Sequence, residues 1–325
     1  MNIVVVGLGS MGRRRIRLLQ RYDSSMNIIG VDLQEVRCRQ AENECGIRTS
    51  NNLQDVIKRE NVECAIITTS PISHGEIIYK CLSHDLHVFT EINLVEDMYK
   101  ENIQLAKERG KVLFLSSTFL YRKEVEYIAK EMKKQNKQVR YQYHVGQYLP
   151  DWHPWEDYHN FFVSNKKTNG CREIFAIDLP WLIHVFGDVL EFVVRKSKVS
   201  ELDIDYPDNY YVFLKHASGH EGVLTVDIVS RKAERRMEIV GENIHIEWDG
   251  TPKGLYVMNF DNKELESVQL YDAIDKLSNY SSNIIENAYF EEICEFFDVI
   301  KLEKVPRYSF EKDLSILELV NKFEE

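Results

Sequence analysis

Missing from this 325-residue sequence are the features that would place it on a nucleic acid, in a membrane or in an oxidising compartment. Basic residues are outnumbered, 41 Lys and Arg against 52 Asp and Glu. A net charge of -11 repels phosphate backbones and anionic headgroups, which excludes nucleic-acid and membrane partners. No apolar run approaches the ~18 residues a spanning helix needs. The apolar stretch at residues 1–7 is too short for a signal peptide and passes straight into a glycine turn. The cysteines, Cys38, Cys45, Cys64, Cys81, Cys171 and Cys294, form no C-x-x-C pair, and no Cys/His cluster has zinc spacing. That excludes a zinc-ribbon metal centre and predicts free thiols in the cytoplasm. There is no G-x-S-x-G elbow and no Cys/His nucleophile pair. No Gly/Pro/Ser-rich linker occurs, which predicts domains that pack closely.

What is present is a soluble globular composition, 44% hydrophobic and 29% charged, in a chain long enough for two domains. Over the first ~120 residues, short apolar runs alternate with amphipathic stretches, the pattern of a parallel sheet wrapped by helices. Strands are predicted at 3–7, 27–32, 63–69, 86–90 and 111–116, with helices at 11–21, 35–44, 72–83 and 96–109. Gly46 and Gly110 are natural helix stops, and Pro71 suits a first helical turn. After Tyr121 the texture changes. A helix at 123–134 precedes period-two runs at 139–145, 210–215, 222–229, 236–240 and 244–248, a mainly antiparallel sheet with one covered face. Further helices are predicted at 180–186, 284–300 and 309–323. The domains are therefore placed at 1–120 and 121–325.

Residues Gly7-Leu8-Gly9-Ser10-Met11-Gly12 fit G-x-G-x-x-G between the first strand and the first helix. Gly7 permits a tight turn, Gly9 lets backbone approach a pyrophosphate, and Gly12 allows close helix–strand packing. The helix N-terminus offers free N–H groups and partial positive charge to the phosphates. Asp32, twenty positions after Gly12, is placed to accept hydrogen bonds from the adenosine ribose and to repel a 2′-phosphate. NAD is therefore expected ahead of NADP, with Arg37 nearby to keep NADP open. Arg13, Arg14 and Arg15 read as a solvated first turn or as phosphate contacts.

The chain resembles the Gfo/Idh/MocA oxidoreductases, named for glucose–fructose oxidoreductase and inositol dehydrogenase. The likeness rests on the fingerprint continued by Arg13-Arg14, on Thr69-Ser70-Pro71 with His74, and on His87-Val88-Phe89-Thr90-Glu91. Tyr121-Arg122, then Asp151-Trp152 with Pro154 and Tyr158, and the segment from Asn287 to Val320 complete it. The resemblance implies a Rossmann domain followed by an α/β domain with a large open sheet, through which many members form dimers or tetramers. It implies hydride transfer between a nicotinamide and a ring carbon of a sugar, amino sugar or nucleotide sugar. Ser10 and Met11 lie within the cofactor loop, and Thr69, Ser70, Pro71 and His74 along the cofactor. Glu91 falls near the nicotinamide ribose and Arg122 near the nicotinamide side. Trp152, Trp155 and Tyr158 read either as core aromatics or as a stacking surface for substrate.

One departure bears on mechanism. The family usually carries Glu-Lys-Pro after its fifth strand, and that lysine polarises the reacting hydroxyl. Here the segment reads Glu91-Ile92-Asn93, and an isoleucine can neither donate a proton nor stabilise an alkoxide. The family's Asp-x-x-x-His helix motif is also absent from 170–184. Asp178, His153 and Tyr158 are the remaining candidates for the proton carrier, each with a plain structural reading beside it. His184 reads as a packed helix histidine. The lost lysine leaves two alternatives to a dehydrogenase: a non-catalytic dinucleotide-binding regulator, and an NAD-dependent glycosidase that oxidises its substrate transiently.

Overall fold

The structure is a computed structural model and describes residues 1–153, 156–277 and 283–325. The chain forms two compact units, the first made of residues 1–117 and 289–317, the second of 118–288 and 318–325. The crossing at 117/118 lies three residues before the boundary expected from the sequence. Residues 289–317, expected in the second domain, belong instead to the first.

Unit 1 holds six parallel strands: β1 (Asn2–Val6), β2 (Asn27–Val31), β3 (Arg48–Ser50), β4 (Cys64–Ile67), β5 (His87–Thr90) and β6 (Leu113–Leu115). Their order is β3-β2-β1-β4-β5-β6, the doubly wound arrangement of a Rossmann sheet. The central strands are buried on both faces, as their unbroken Val/Ile runs require. The helices are α1 (Ser10–Tyr22), α2 (Glu35–Cys45), α3 (Leu53–Arg59), α4 (His74–Ser83) and α5 (Tyr99–Arg109). Gly46 and Gly110 end α2 and α5 in the left-handed conformation. The edge strand β3 and the one-turn-plus helix α3 went unpredicted, because three half-exposed residues carry no periodic signal.

Unit 2 begins with α6 (Lys123–Met132), β7 (Arg140–Gly146) and α7 (Gly170–Phe186). It continues as β8 (Val189–Ser197), β9 (Asn209–His216), β10 (Glu221–Asp227), β11 (Glu234–Gly241), β12 (Ile244–Trp248), β13 (Leu255–Asn259) and β14 (Glu264–Ser267). These strands form one eight-stranded sheet ordered β14-β13-β12-β11-β7-β10-β9-β8. Only the β7–β10 pair is parallel. On one face Tyr141, Tyr143, Tyr210 and Met237 are buried, and α7 packs there through Phe175 against Tyr210, 5.3 Å between rings, and Trp181 against Tyr143, 5.1 Å. The other face is bare, and the register aligns Val193, Phe213, Val223, Gln142, Glu238, Glu247 and Tyr256 across it. The predicted helix at 180–186 is only the end of α7, which runs through Pro180 from its N-cap Asn169.

The last helices are α8 (Glu286–Ile300) and α9 (Phe310–Glu324). Their return to unit 1 has a specific cause. Arg15 is fully buried, and its guanidinium meets Glu91 at 2.6 Å and Glu292 of α8 at 2.8 Å, with the Phe89 ring 4.6 Å away. Glu292 also accepts from the Ser117 amide at 2.7 Å. Phe296 closes on Phe89 and Phe114, and Tyr289 lies under Arg14. Arg14 and Arg15 are therefore neither a solvated turn nor phosphate contacts, while Arg13 bonds the Leu8 carbonyl and pairs with Glu44. Replacing Arg15 with methionine leaves two carboxylates facing each other in the core. Urea denaturation should show a loss of about 3 kcal/mol or more, partly recovered by the double change Arg15→Met with Glu292→Leu. Equal stability of the Arg15→Met protein would refute this account of why the tail returns.

Candidate functional site

The site of unit 1 lies where the strand order reverses, at the carboxyl ends of β1 and β4. Gly7 turns the chain there at φ 95°, a conformation that L side chains rarely adopt. A Cβ on Gly12 would sit 1.9 Å from the Gly7 carbonyl oxygen, so only glycine lets α1 start this close to β1. A Cβ on Gly9, by contrast, would meet nothing within 4 Å. The two flanking glycines are thus required by protein packing, and Gly9 faces open space. Thr68, which the sequence reading passed over, donates its hydroxyl to the Gly7 carbonyl at 2.6 Å and fixes the loop from β4.

Above this loop α1 begins with no side-chain cap and no acidic residue in its first turn. Its amide donors and dipole remain directed at an anion, with Ser10 and Met11 in that turn. Asp32 follows β2 and is nearly buried. One carboxylate oxygen accepts from the Leu8 amide at 2.8 Å, the other from the Gln34 amide at 2.8 Å. Each oxygen keeps a second lone pair, so the carboxylate that braces the glycine loop can also accept from a ribose hydroxyl. Arg37 Nη1 stands 3.9 Å from Asp32 and is partly exposed. The donors, the open space over Gly9 and the acceptor fit a dinucleotide.

The post-β4 segment runs from partly exposed Thr69 and exposed Ser70 to buried Pro71, which opens a short 3-10 turn into α4. His74 is buried, and burial lowers its pKa, so the ring is neutral. Its Nε2 lies 2.9 Å from the Thr69 carbonyl and its Nδ1 2.7 Å from the Asn93 carboxamide. His74 is a strut between the loops after β4 and β5. Asn93, the residue that kept an amide in the missing Glu-Lys-Pro segment, is turned into that strut and buried. Glu91 is held by Arg15.

In unit 2, Arg122 is buried and donates to Glu124, to the Asn283 carbonyl at 2.7 Å and to the Gly250 carbonyl at 3.1 Å. Asp178 is also buried. Its Oδ1 accepts from the Tyr143 hydroxyl at 2.7 Å, from the Trp181 indole at 2.8 Å and from Arg235. Its Oδ2 is enclosed without a partner. His153 pairs with Glu156 at 2.7 Å and leans on Phe161, while the Tyr158 hydroxyl accepts from the Asp203 amide at 3.2 Å. The three candidate proton carriers therefore have three separate sets of partners. Trp152 donates to the Gln147 carbonyl, and Pro154 and Trp155 lie outside the described residues. His184 is exposed rather than packed.

A carboxyl the sequence reading missed stands in the first turn of α7. Glu173 has Oε2 enclosed without a hydrogen-bond partner, and burial pushes its pKa up to about 8. A search for Asp-x-x-x-His passed over it, yet Glu173 and Ile177 have that four-residue spacing with the histidine replaced.

Residues 1–117 match the family model GFO_IDH_MocA, described as an oxidoreductase family with an NAD-binding Rossmann fold. That match is confined to the N-terminal 117 residues. Biliverdin reductase A of Mus musculus is 31% identical to this chain over 134 residues, 40% of this chain and 44% of the mouse protein, so the curated relative is matched over less than half its length. Two solved structures share the whole fold. Biliverdin reductase from Synechocystis sp. PCC 6803, solved with biliverdin and NADP+, has a TM-score of 0.75 at 18% identity, over 99% of this chain and 97% of that one. UDP-N-acetylglucosamine 3-dehydrogenase from Acidithiobacillus ferrooxidans has 0.77 at 16%, over 100% and 96%. Among the described residues no helix is long and apolar enough to cross a membrane.

The Glu173 environment has a thermodynamic signature. A folded-state pKa above the unfolded ~4.3 keeps the proton on in the native state. The group's stabilising contribution is complete below pH ~4 and is lost as pH rises toward 8. Thermal melts of Glu173→Gln should match the parent near pH 4 and lie above it near pH 8.5. Parallel pH profiles would show that the carboxyl is solvated.

Proposed function

We propose that the protein is an NAD(P)-dependent oxidoreductase acting on a ring carbon of a sugar, amino sugar or nucleotide sugar. The observation that carries this is the uncapped start of α1 beneath the open space at Gly9, with Asp32 poised beside it, in a chain whose N-terminal residues match an oxidoreductase family. Bound there, a nicotinamide dinucleotide supplies the hydride chemistry. The protein's part is to hold, orient and move a proton. The α1 amides, including those of Ser10 and Met11, neutralise the pyrophosphate, and Asp32 grips the ribose. Thr69 and Ser70, stiffened by Pro71 and His74, border the cofactor. Glu91 and Arg122 keep their places through Arg15 and Glu124 and act as positioning residues.

With Ile92 in the lysine position, the proton carrier must come from elsewhere. Glu173 suits the task better than the three candidates chosen from sequence. A carboxyl poised near neutrality both gives and takes a proton at working pH, whereas Asp178 spends one oxygen on three donors. Arg37 beside Asp32 offers a 2′-phosphate a partner, so both NAD and NADP are accommodated, with NAD preferred. The bare sheet face carries Val193 at 59%, Tyr211 at 53%, Phe213 at 38% and Val223 at 38% exposure, and serves as the surface through which two or four copies associate.

Ile92 and the match to biliverdin reductase A favour a second reading: hydride delivery to a linear tetrapyrrole, which needs no lysine to polarise a ring hydroxyl. One assay separates the two. The protein is incubated with either nicotinamide cofactor and a panel of nucleotide sugars, inositols and biliverdin, and followed at the nicotinamide and bilin bands. Change with a sugar supports the first reading and change with biliverdin the second. Calorimetric affinity for NAD without turnover of any compound would leave a non-catalytic dinucleotide binder, and product release without net cofactor change a glycosidase.

Two variants probe the residues. Asp32→Ala should weaken NAD at least tenfold by calorimetry while NADP changes less, because a charge-assisted hydrogen bond of about 1.5–3 kcal/mol is lost. Unchanged affinity for both would remove Asp32 from the site. Glu173→Gln should lower kcat by about a hundredfold with cofactor affinity kept, and abolish the limb of the pH–rate profile near 8. An unaltered pH profile would return the role to Asp178, His153 or Tyr158.

A further inference from the structure

On the bare face of the large sheet, β11 and β12 bring together three side chains that the linear sequence keeps apart. Glu238 lies directly opposite Glu247 in the antiparallel register, and His245 is two residues from Glu247 on the same strand and so on the same face. Like charges directly opposite across a ladder oppose the pairing. Here they are not separated: one ligand atom from each of Glu238, His245 and Glu247 falls within 4.8 Å of the other two. The His245 Nε2 lies 3.8 Å from Glu238 Oε1 and 3.6 Å from Glu247 Oε1.

The imidazole is the informative member. Its side chain is a quarter exposed, yet the Nε2 atom itself is enclosed and has no hydrogen-bond partner. Both carboxylates stand beyond the ~3.2 Å limit of a good N–H···O bond, so nothing closer than a long ion pair holds the ring there. A metal ion would take all three ligand atoms at once. Ligand atoms about 2.0–2.1 Å from a tetrahedral ion are ~3.3 Å from one another, a few tenths of an ångström inside the observed separations. The neighbouring cation does not fill this role. Arg140 lies 3.7 Å from Glu238 Oε2, the oxygen turned away from His245. Tyr256, opposite Glu247 on β13, brings no cation.

We propose that Glu238, His245 and Glu247 form a divalent transition-metal site, with Zn2+ as the ion best matched to one imidazole nitrogen and two carboxylate oxygens. A hard ion such as Mg2+ prefers oxygen alone. Three protein ligands leave a fourth position for water. The site is independent of the proposed oxidoreductase activity, since no residue of the dinucleotide loop takes part. No sequence spacing rule finds it, because the set spans a hairpin and contains no cysteine.

The test is titration calorimetry of the full-length, tag-free protein with ZnCl2 at pH 7.5. One equivalent should bind per chain with micromolar affinity, and His245→Ala and Glu247→Gln should each weaken it at least tenfold. Circular dichroism melts without metal establish that the variants fold. If His245→Ala does not, the conservative Glu247→Gln and Glu238→Gln proteins give the same reading. Absence of binding at a hundred micromolar Zn2+, or equal affinity in the folded variants because the ion is held elsewhere, overturns the proposal.

Discussion

The contact on which the rest of this molecule depends is between two backbones: Gly12 of α1 against the carbonyl of Gly7. No side chain fits there, since even a methyl carbon would stand 1.9 Å from oxygen. Because α1 starts this close to β1, its amides converge over the carboxyl end of the sheet. Because no side-chain cap closes that turn, the convergence is directed at an anion. Thr68 and Asp32 act on the same loop from the flanking strands, one through the Gly7 carbonyl and one through the Leu8 amide. The conformation of the glycine loop is therefore over-determined by hydrogen bonds within unit 1.

Unit 2 divides its work between the two faces of one sheet. The face under α7 is where carboxyls are enclosed: Asp178 against Tyr143, Trp181 and Arg235, and Glu173 in the first turn of the helix. These two acids differ in what surrounds them. Each has one enclosed oxygen without a partner, but the other oxygen of Asp178 accepts from three donors including Arg235, whereas burial alone acts on Glu173. The second condition is costly for an anion and leaves a neutral acid that can exchange its proton. The opposite face keeps apolar and acidic side chains in register where α7 does not reach.

The fold was legible because its signals are short-range. Val/Ile runs, helix-stopping glycines and the fingerprint all reside within a few residues of what they specify, and β12 and the Rossmann strands fall close to where periodicity puts them. The elements that escaped, β3, β8, β13 and β14, lie at a sheet edge or next to one, where a full inward face does not impose a pattern. The site was legible only in part, for a different reason. Gly7, Gly12 and Asp32 are dictated by local geometry. The partners of Arg15 and Asn93 and the isolation of the Glu173 oxygen are set by burial, and burial is a property of the folded chain that a run of letters does not carry. Arginines at 14 and 15 look solvent-facing in sequence because the aromatic and acidic groups that cover them arrive some 275 residues later, as the Arg15–Glu292 separation of 277 positions shows.

That separation governs the order in which the molecule is made. A ribosome releases the first 117 residues long before α8 exists, and the nascent Rossmann sheet then carries Phe89 and Phe114 without the Phe296 ring that closes over them. It also carries a guanidinium with one of its two carboxylates. The first 117 residues therefore emerge with an apolar surface at Phe89 and Phe114 that stays uncovered until residue 296 is made, the kind of exposed surface that invites misassociation in a folding intermediate.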